Sequence, residues 1–471
     1  MAELLLAIDV GTTSLGAGLF GPDGRLLAWS ARRLATRSPA PGRLEQDPGA
    51  IWRATLTVVR GAFAAAGRGA ADLAAIGVTT QRTSAMVWDR RDGRALTPLV
   101  LWSDLRGIER AAALRNEGYF VAPQQAAAKL EGVVAGAGPG ELAWGNIDSY
   151  LIWRLSGGAA HVTDRSQAWP TGYLDLMTMG WNQALIDHQG LDAAMFPRLV
   201  DTWGPVAETN ATVLGRPIPI CADIADQQSA LIAHGGEAAK VTYGTSATLD
   251  LGTGAELVLK DLSTPPFVVS SVAGEARFCI EGMVYTAGAA LDWVRGAMRM
   301  GGPAAFDALA ASVPDAGGVS FLPALQGLGA PHGDAARRGA FGGLSLGTGR
   351  AHIARAAVEG VAFRTREVFE QVHALAERAP PPALGVDGGL AGSDVFLQIQ
   401  ADLLGQAVRR HSLREATAGG AAICAARGVG LLGPDETGGF VAYQRAFEPG
   451  ISHDEADGRF EAWKRSAYGA A

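Results

Sequence analysis

Two stretches of this chain, separated by about half its length, carry one pattern: an apolar strand, a Gly-Thr turn, a second strand, another turn and a third strand. The first contains Ile8-Asp9-Val10-Gly11-Thr12-Thr13-Ser14 and the second Thr242-Tyr243-Gly244-Thr245-Ser246. A duplication of this kind restricts the fold to two domains of one topology. Each would present a turn rich in backbone N–H groups and hydroxyls, which suits a ligand with several phosphates. Chance is the competing explanation, because short Gly-Thr turns recur in a chain with 63 glycines. Length agrees with duplication: single cores rarely grow past about 250–300 residues, and this chain has 471. The expected domains are 1–237 and 238–471.

Hydrophobic residues make up 48% of the chain and charged residues 18%, which excludes a disordered protein. The net charge of -7 argues against a nucleic-acid partner. Cys221, Cys279 and Cys424 are odd in number, far apart and without metal-ligand spacing, as in a reducing compartment. The start, MAELLLAIDVG, lacks the basic region and longer apolar run of a signal peptide. No uncharged apolar run reaches the length of a membrane span. The expectation is a soluble cytoplasmic protein with no membrane partner.

Residues 4–10, 15–20 and 25–30 read as three strands joined by tight turns. Asp47-Pro48 forms a cap and first turn for a helix reaching residue 66. Further strands are expected at 71–79, 217–221, 247–252, 257–259 and 383–386. Helical patterns cover 143–155, 181–186, 227–234, 351–376, 394–404 with Gly405 as C-cap, and 417–428.

Four constellations carry chemistry. Asp9, at a strand end, can hold a divalent ion through its water shell or cap local N–H groups; no Gly-Lys-Ser/Thr of a Walker A loop follows it. Asp223 and Asp226 lie between an apolar strand and a helix. Either carboxylate could take a proton from an alcohol during phosphoryl transfer, and Asp226 is equally a plain helix cap. Asp387-Gly388-Gly389 permits close approach by a nucleoside, or is an ordinary tight turn. Gln81-Arg82 with Trp102-Ser103-Asp104 offers a planar cation, an indole and a carboxylate as a binding wall; with 11 tryptophans in the chain, a core role for Trp102 is also open. Zinc spacing, a Gly-x-Ser-x-Gly elbow and a Gly-x-Gly-x-x-Gly turn after the first strand are not seen, which argues against esterase and NAD-linked chemistry.

Taken in order, these residues resemble the FGGY family of carbohydrate kinases, and within it the glycerol kinase branch. The resemblance covers nearly the whole chain: residues 9–14, 42–48 with Ile51-Trp52, 80–82, 101–104, 145–148 with 151–153, 161–164, 226–228, 242–245, 327–331, 338–344, 359–363, 387–389, and 400–402 with Gly405. It implies an α/β fold of two actin-like (ribonuclease H-like) domains around a central ATP cleft, with ATP and Mg²⁺ as cofactors and the ion near Asp9. Gly11, Thr12, Thr13 and Ser14 on one side, and Gly244 and Thr245 on the other, would face the phosphates. Gly388, Gly389 and Ser393 would lie at the nucleoside. Asp226, ahead of two glutamines, would be the general base. Gln81, Arg82, Thr83, Trp102, Gln124 and Gln227 would bind the acceptor. Family members are often dimers or tetramers, so a homodimer or homotetramer is expected.

Four positions depart from the glycerol kinase pattern. Thr83 stands where that branch has Glu, and Gln124 where it has Tyr; unmatched polar groups in such a site discriminate strongly between acceptors. Gly16 stands where Arg is common, and Ser393 where Asn is expected; a cation missing near the phosphates costs rate unless another group supplies it. The expected activity is ATP-dependent phosphorylation of a small polyol or sugar: a glycerol-like polyol, a tetritol or pentitol, or a ketopentose. The alternative is a non-catalytic or weakly active regulatory or sensor protein that binds ATP or sugar.

Overall fold

Uninterrupted apolar runs build the first sheet. Its strands are β1 (Leu4–Val10), β2 (Ser14–Phe20), β3 (Leu26–Arg33), β4 (Leu73–Thr80), β5 (Trp203–Glu208) and β6 (Pro219–Ala225), in the order β5-β6-β4-β1-β2-β3. β1, β4 and β6 run parallel and are buried along most of their length, as strands covered on both faces must be. β1, β2 and β3 form an antiparallel meander. The computed structural model describes residues 3–236, 238–261 and 263–469, so Glu237, at the expected domain boundary, lies outside the described residues.

Helix α1 (Pro48–Ala66) starts where expected. The Asp47 carboxylate accepts from the Gly49 N–H at 2.8 Å, Pro48 needs no donor in the first turn, and Gly67 ends the helix at φ 62°. Two expected helices begin later than the sequence suggested. Residues 143–145 form a strand, Leu142–Gly145, paired with Met86–Asp89, and α2 (Ile147–Leu155) begins only after Asn146. Trp181 belongs to a short hairpin strand, and the helix after it spans Gln183–His188. Short apolar runs fit either period, and the strand partner decides. α3 (Asp226–Ala233) follows β6 directly.

The second sheet contains β7 (Ala239–Tyr243), β8 (Ala247–Gly254), β9 (Pro266–Val272), β10 (Glu275–Val284), β11 (Ala383–Asp387), β12 (Ala407–His411) and β13 (Tyr443–Phe447). Their order is β9-β10-β8-β7-β11-β12-β13. β7, β8 and β10 are antiparallel, while β7, β11 and β12 are parallel. Three antiparallel strands followed by two parallel ones therefore recur in both sheets. The third antiparallel strand is β10, not residues 257–259, which lie outside any strand; β10 takes the edge of β8, and Leu259 is exposed. α4 (Arg350–Ala376) and α5 (Asp394–Leu404) pack among the buried residues of this half.

The chain forms two compact units. One comprises Met1–Ala233, Phe267–Arg277 and Thr417–Phe440; the other His234–Pro266, Phe278–Ala416 and Val441–Ala471. α6 (Ala416–Gly428) thus lies almost wholly in the first unit. Its small residues explain the fit: a Cβ on Gly420 would strike the Ser229 carbonyl, and one on Gly77 would strike the Ala421 carbonyl. All three cysteines are free and buried, and among the described residues no helix is long and apolar enough to cross a membrane.

Candidate active site

In the first unit, register brings three strand ends together. Val10 pairs with Thr80, and Thr80 with Ala225. Gly11, Gln81 and Asp226 therefore leave the sheet side by side at its carboxyl edge, where open α/β sheets bind ligands. Asp226 is the first residue of α3, and its side chain is 23% exposed. Its Oδ1 accepts from the Gln227 N–H at 2.8 Å and lies 3.6 Å from Arg82 Nε. Arg82 also donates to Gln228 Oε1 at 3.3 Å, and its guanidinium sits 4.5 Å from the centre of the Phe267 ring. Ring, amide and carboxylate together fix the plane of the guanidinium. Asp223, the competing candidate, is fully buried within β6 and presents nothing to a ligand.

Thr12 ties the Gly-Thr turn to the neighbouring wall. Its hydroxyl donates to Gln81 Oε1 and accepts from Trp102 Nε1, both at 3.0 Å, and its carbonyl accepts from Gln46 Nε2 at 2.7 Å. The hydroxyl expected at the phosphates is thus engaged with Gln81 and Trp102, while Thr13 and Ser14 stay exposed. Asp9, next to last in β1, is half-buried and pairs with Gly16 on β2. The Trp29 ring fills the space a side chain at Gly16 would need, so no arginine fits there. Thr83 has φ 58° and a buried hydroxyl without a partner. For a β-branched residue both are costly, and such costs gather at functional sites. Gln124 is exposed, and its carbonyl, with those of Leu101 and Trp102, accepts from Lys129 Nζ at 2.9, 2.8 and 3.1 Å. Burial pushes the Lys129 amine down to about 7, against three acceptors that favour ammonium.

In the second unit, Thr242 pairs with Asp387, so Gly244-Thr245 and Gly388-Gly389 leave β7 and β11 as neighbours. Gly244 and Thr245 are exposed. Gly388 must be glycine on two grounds: φ is 89°, and a Cβ would lie 2.5 Å from the Tyr243 carbonyl oxygen. Gly389 faces open space. Burial alone would raise the Asp387 carboxyl, but His234 Nε2 at 2.9 Å and the Thr242 hydroxyl at 3.1 Å help hold it below the usual range. The Ser393 hydroxyl accepts from the Phe396 N–H at 3.0 Å and caps α5.

Sequence reasoning gave no role to Gln46, Lys129, His234 or Phe267. Lys129 had a signal, a lone lysine after three alanines. Phe267 had none, because its partner Arg82 lies far away in sequence.

The duplicated α/β fold with these strand-end turns, together with the family matches over both halves, marks the class: a kinase that transfers phosphate from ATP to a small carbohydrate or polyol. Residues 4–233 match the N-terminal domain, and residues 239–429 the C-terminal domain, of the FGGY family of carbohydrate kinases, and the chain belongs to that family. It is 39% identical to a glycerol kinase of Thermus brockianus over 98% of each chain. It is 38% identical to a glycerol kinase of Aromatoleum aromaticum, covering 98% of this chain and 97% of that one. Two solved structures share its fold. Plasmodium falciparum glycerol kinase with ADP superposes with a TM-score of 0.89 at 22% identity, over 98% of this chain and 97% of that one. The ligand-bound xylulose kinase of Lactobacillus acidophilus gives 0.84 at 23%, over 98% and 96%.

Proposed function

We propose that this protein phosphorylates a hydroxyl of a small polyol or ketose, with Asp226 as general base and Mg-ATP as donor. The observation that carries the reading is the Asp226 carboxylate: partly exposed at a strand-to-helix junction and fixed by Arg82. The acceptor hydroxyl would hydrogen-bond to this carboxylate. As the acceptor oxygen bonds to the γ-phosphorus and ADP leaves, Asp226 takes the hydroxyl proton. Arg82 and Trp102 would orient the remaining hydroxyls. Thr83 puts a buried, uncharged hydroxyl where a carboxylate would stand, which changes the acceptor hydroxyls this wall can match and leaves polyols and ketoses other than glycerol to be tested.

The repeated sheet order supports an actin-like, ribonuclease H-like pair. In this reading the nucleotide is taken by the turns at Gly244-Thr245 and Gly388-Gly389, and phosphate oxygens also by residues 11–14. Asp9 fits magnesium, which binds through one or two carboxylates, several waters and substrate phosphates; among the described residues no group of three or more His, Cys, Asp or Glu side chains is placed to hold a metal ion. When bound, the ion would offset charge on the transferring phosphoryl group.

The test is ADP release with glycerol, tetritols, pentitols and ketopentoses, for the natural protein and Asp226→Asn. We expect acceptor-dependent turnover that falls about 10²–10⁴-fold in the variant, with unchanged circular dichroism. Full activity in Asp226→Asn, or no acceptor-dependent turnover in the natural protein, overturns the reading.

A further inference from the structure

Beneath the strand end that carries Asp226 lie three carboxyl groups with no contact to solvent: Asp148 near the start of α2, Asp164 at the end of the strand Val162–Asp164, and Asp223 in β6. They differ in how they are satisfied. Asp164 has a full set of donors. Its Oδ1 accepts from the Ser166 hydroxyl at 2.8 Å and the Gln167 N–H at 2.9 Å, and its Oδ2 from the Thr202 hydroxyl at 2.8 Å and the Ser166 N–H at 3.1 Å. Burial raises this carboxyl to about 6, and the four donors hold it from going higher, in favour of the ionised form. Asp148 Oδ2 accepts from the Thr163 hydroxyl at 2.7 Å and the Ser149 hydroxyl at 3.4 Å, and Asp223 Oδ2 from the Asp164 N–H at 2.9 Å. The second oxygen of each, Asp148 Oδ1 and Asp223 Oδ1, has no donor among the described residues, and the consecutive residues Thr163 and Asp164 hold the two carboxyls as neighbours.

No cation relieves this arrangement: among the described residues no Lys, Arg or His forms an ion pair with any of the three. Close by lie Arg165, 3.9 Å from Asp201, and two buried thiols. Burial pushes Cys424 on α6 up to about 12 and Cys221 on β6 up to about 11, so both are neutral. Arg427, further along α6, is committed to the Trp203 ring at 5.0 Å and the Glu436 carbonyl at 3.1 Å. Two ionised carboxylates facing each other in such a site are far more costly than one carboxylate accepting a hydrogen bond from one acid.

We propose that Asp223 keeps its proton at neutral pH and donates it to Asp148, so that the two form one acid–carboxylate pair supporting the strand end before Asp226. The backbone there is held from the same cluster. The Ala225 N–H donates to Ser166 Oγ at 2.8 Å, and Gln167 Nε2 donates to the Ile224 carbonyl at 3.3 Å. Asp223 is a positioning residue, and this role rests on the assignment of Asp226 made above. Burial, and then the charges of Asp148 and Asp164, raise the Asp223 carboxyl well above its ordinary value. A raised carboxyl stabilises the fold fully below the unfolded-state value and loses that contribution as pH climbs through the folded one. The pair therefore weakens on the alkaline side.

Asp223→Asn keeps a donor at this place and removes the titration. At neutral pH, infrared difference spectra of the natural protein against Asp223→Asn should show the carbonyl band of a protonated carboxylic acid, shifted in D₂O. As pH rises above the ordinary carboxyl range, the variant should gain melting temperature relative to the natural protein, beyond the titration of Asp148 and Asp164, each raised to about 6. The alkaline fall of kcat should flatten in the variant, with KM for ATP unchanged. Asp148→Asn, which removes the charge that holds the proton, should also lose the acid band. Absence of the band, or a melting difference flat with pH, overturns the proposal. The infrared and melting measurements need no turnover, so they separate failure of the pair from failure of the Asp226 assignment.

Discussion

At the scale of single residues, Thr83 carries two costs at once: a β-branched side chain at φ 58° and a buried hydroxyl with no partner. Strain of this kind is worth about 1–3 kcal/mol, and an unsatisfied hydroxyl adds to it. Thr83→Gly removes both, against about 0.5–1 kcal/mol of extra chain entropy in the unfolded state. Relief wins, so we expect a melting temperature raised by a few degrees together with a higher KM for the acceptor. A variant that is less stable and binds the acceptor equally well would show that Thr83 is merely awkward packing. Gly16 shows the same logic in reverse. Its missing side chain is dictated by the Trp29 ring lying across the position, so restoring an arginine there should destabilise the fold before it could help the phosphates.

At the scale of elements, the parallel strands do most of the work, because their shared register brings Gly11, Gln81 and Asp226 to one edge. In the second unit the equivalent junction depends on Gly388. Gly388→Ala must adopt a left-handed backbone and push on the Tyr243 carbonyl, which should destabilise the protein by more than about 1 kcal/mol. The same variant should weaken nucleotide binding measured by calorimetry and leave acceptor binding unchanged; equal loss of both would refute a local role. Much of this was legible in the sequence. Buried parallel strands announce themselves as apolar runs, and Gly-Thr or Asp-Gly-Gly at their ends marks the turn. The position of Asp226 ahead of a helix was readable for the same reason. Other features were not. Residues 143–145 look helical until Met86–Asp89 pairs with them, and residues 257–259 look like a strand although β10 takes the edge they would need. Thr12 reads as part of a phosphate-facing turn, and the partners of its hydroxyl, Gln81 and Trp102, were not readable from that turn. Each of these is decided by a neighbour distant in sequence, which local periodicity does not encode.

At the scale of the molecule, each compact unit draws on more than one stretch of chain. Thr417–Phe440 belongs with the first unit. The Thr417 carbonyl accepts from the Ser229 hydroxyl at 2.7 Å, and α6 lies so close to β4 and α3 that glycine is needed at positions 77 and 420. An Ala- and Gly-rich helix gives no hint in sequence of which sheet it covers. A fragment ending at residue 237 would leave bare the part of the sheet that α6 covers, where Gly77 meets Ala421 and Cys221 meets Gly428. We expect it to unfold without a cooperative urea transition, whereas a version with 417–440 joined by a flexible linker should regain one. A cooperative transition in the short fragment would show that α6 is dispensable.

The same discontinuity sets a timetable for the growing polypeptide. When residue 233 leaves the ribosome, the six-stranded sheet is complete, but the first unit still lacks Phe267–Arg277 and its last helix. Roughly 200 further residues must be translated before Phe440 follows, a delay on the order of 10–40 s at ordinary elongation rates. Over that interval a nascent chain displays an uncovered sheet face. Chaperone occupancy during synthesis should therefore begin near residue 233 and end only near residue 440.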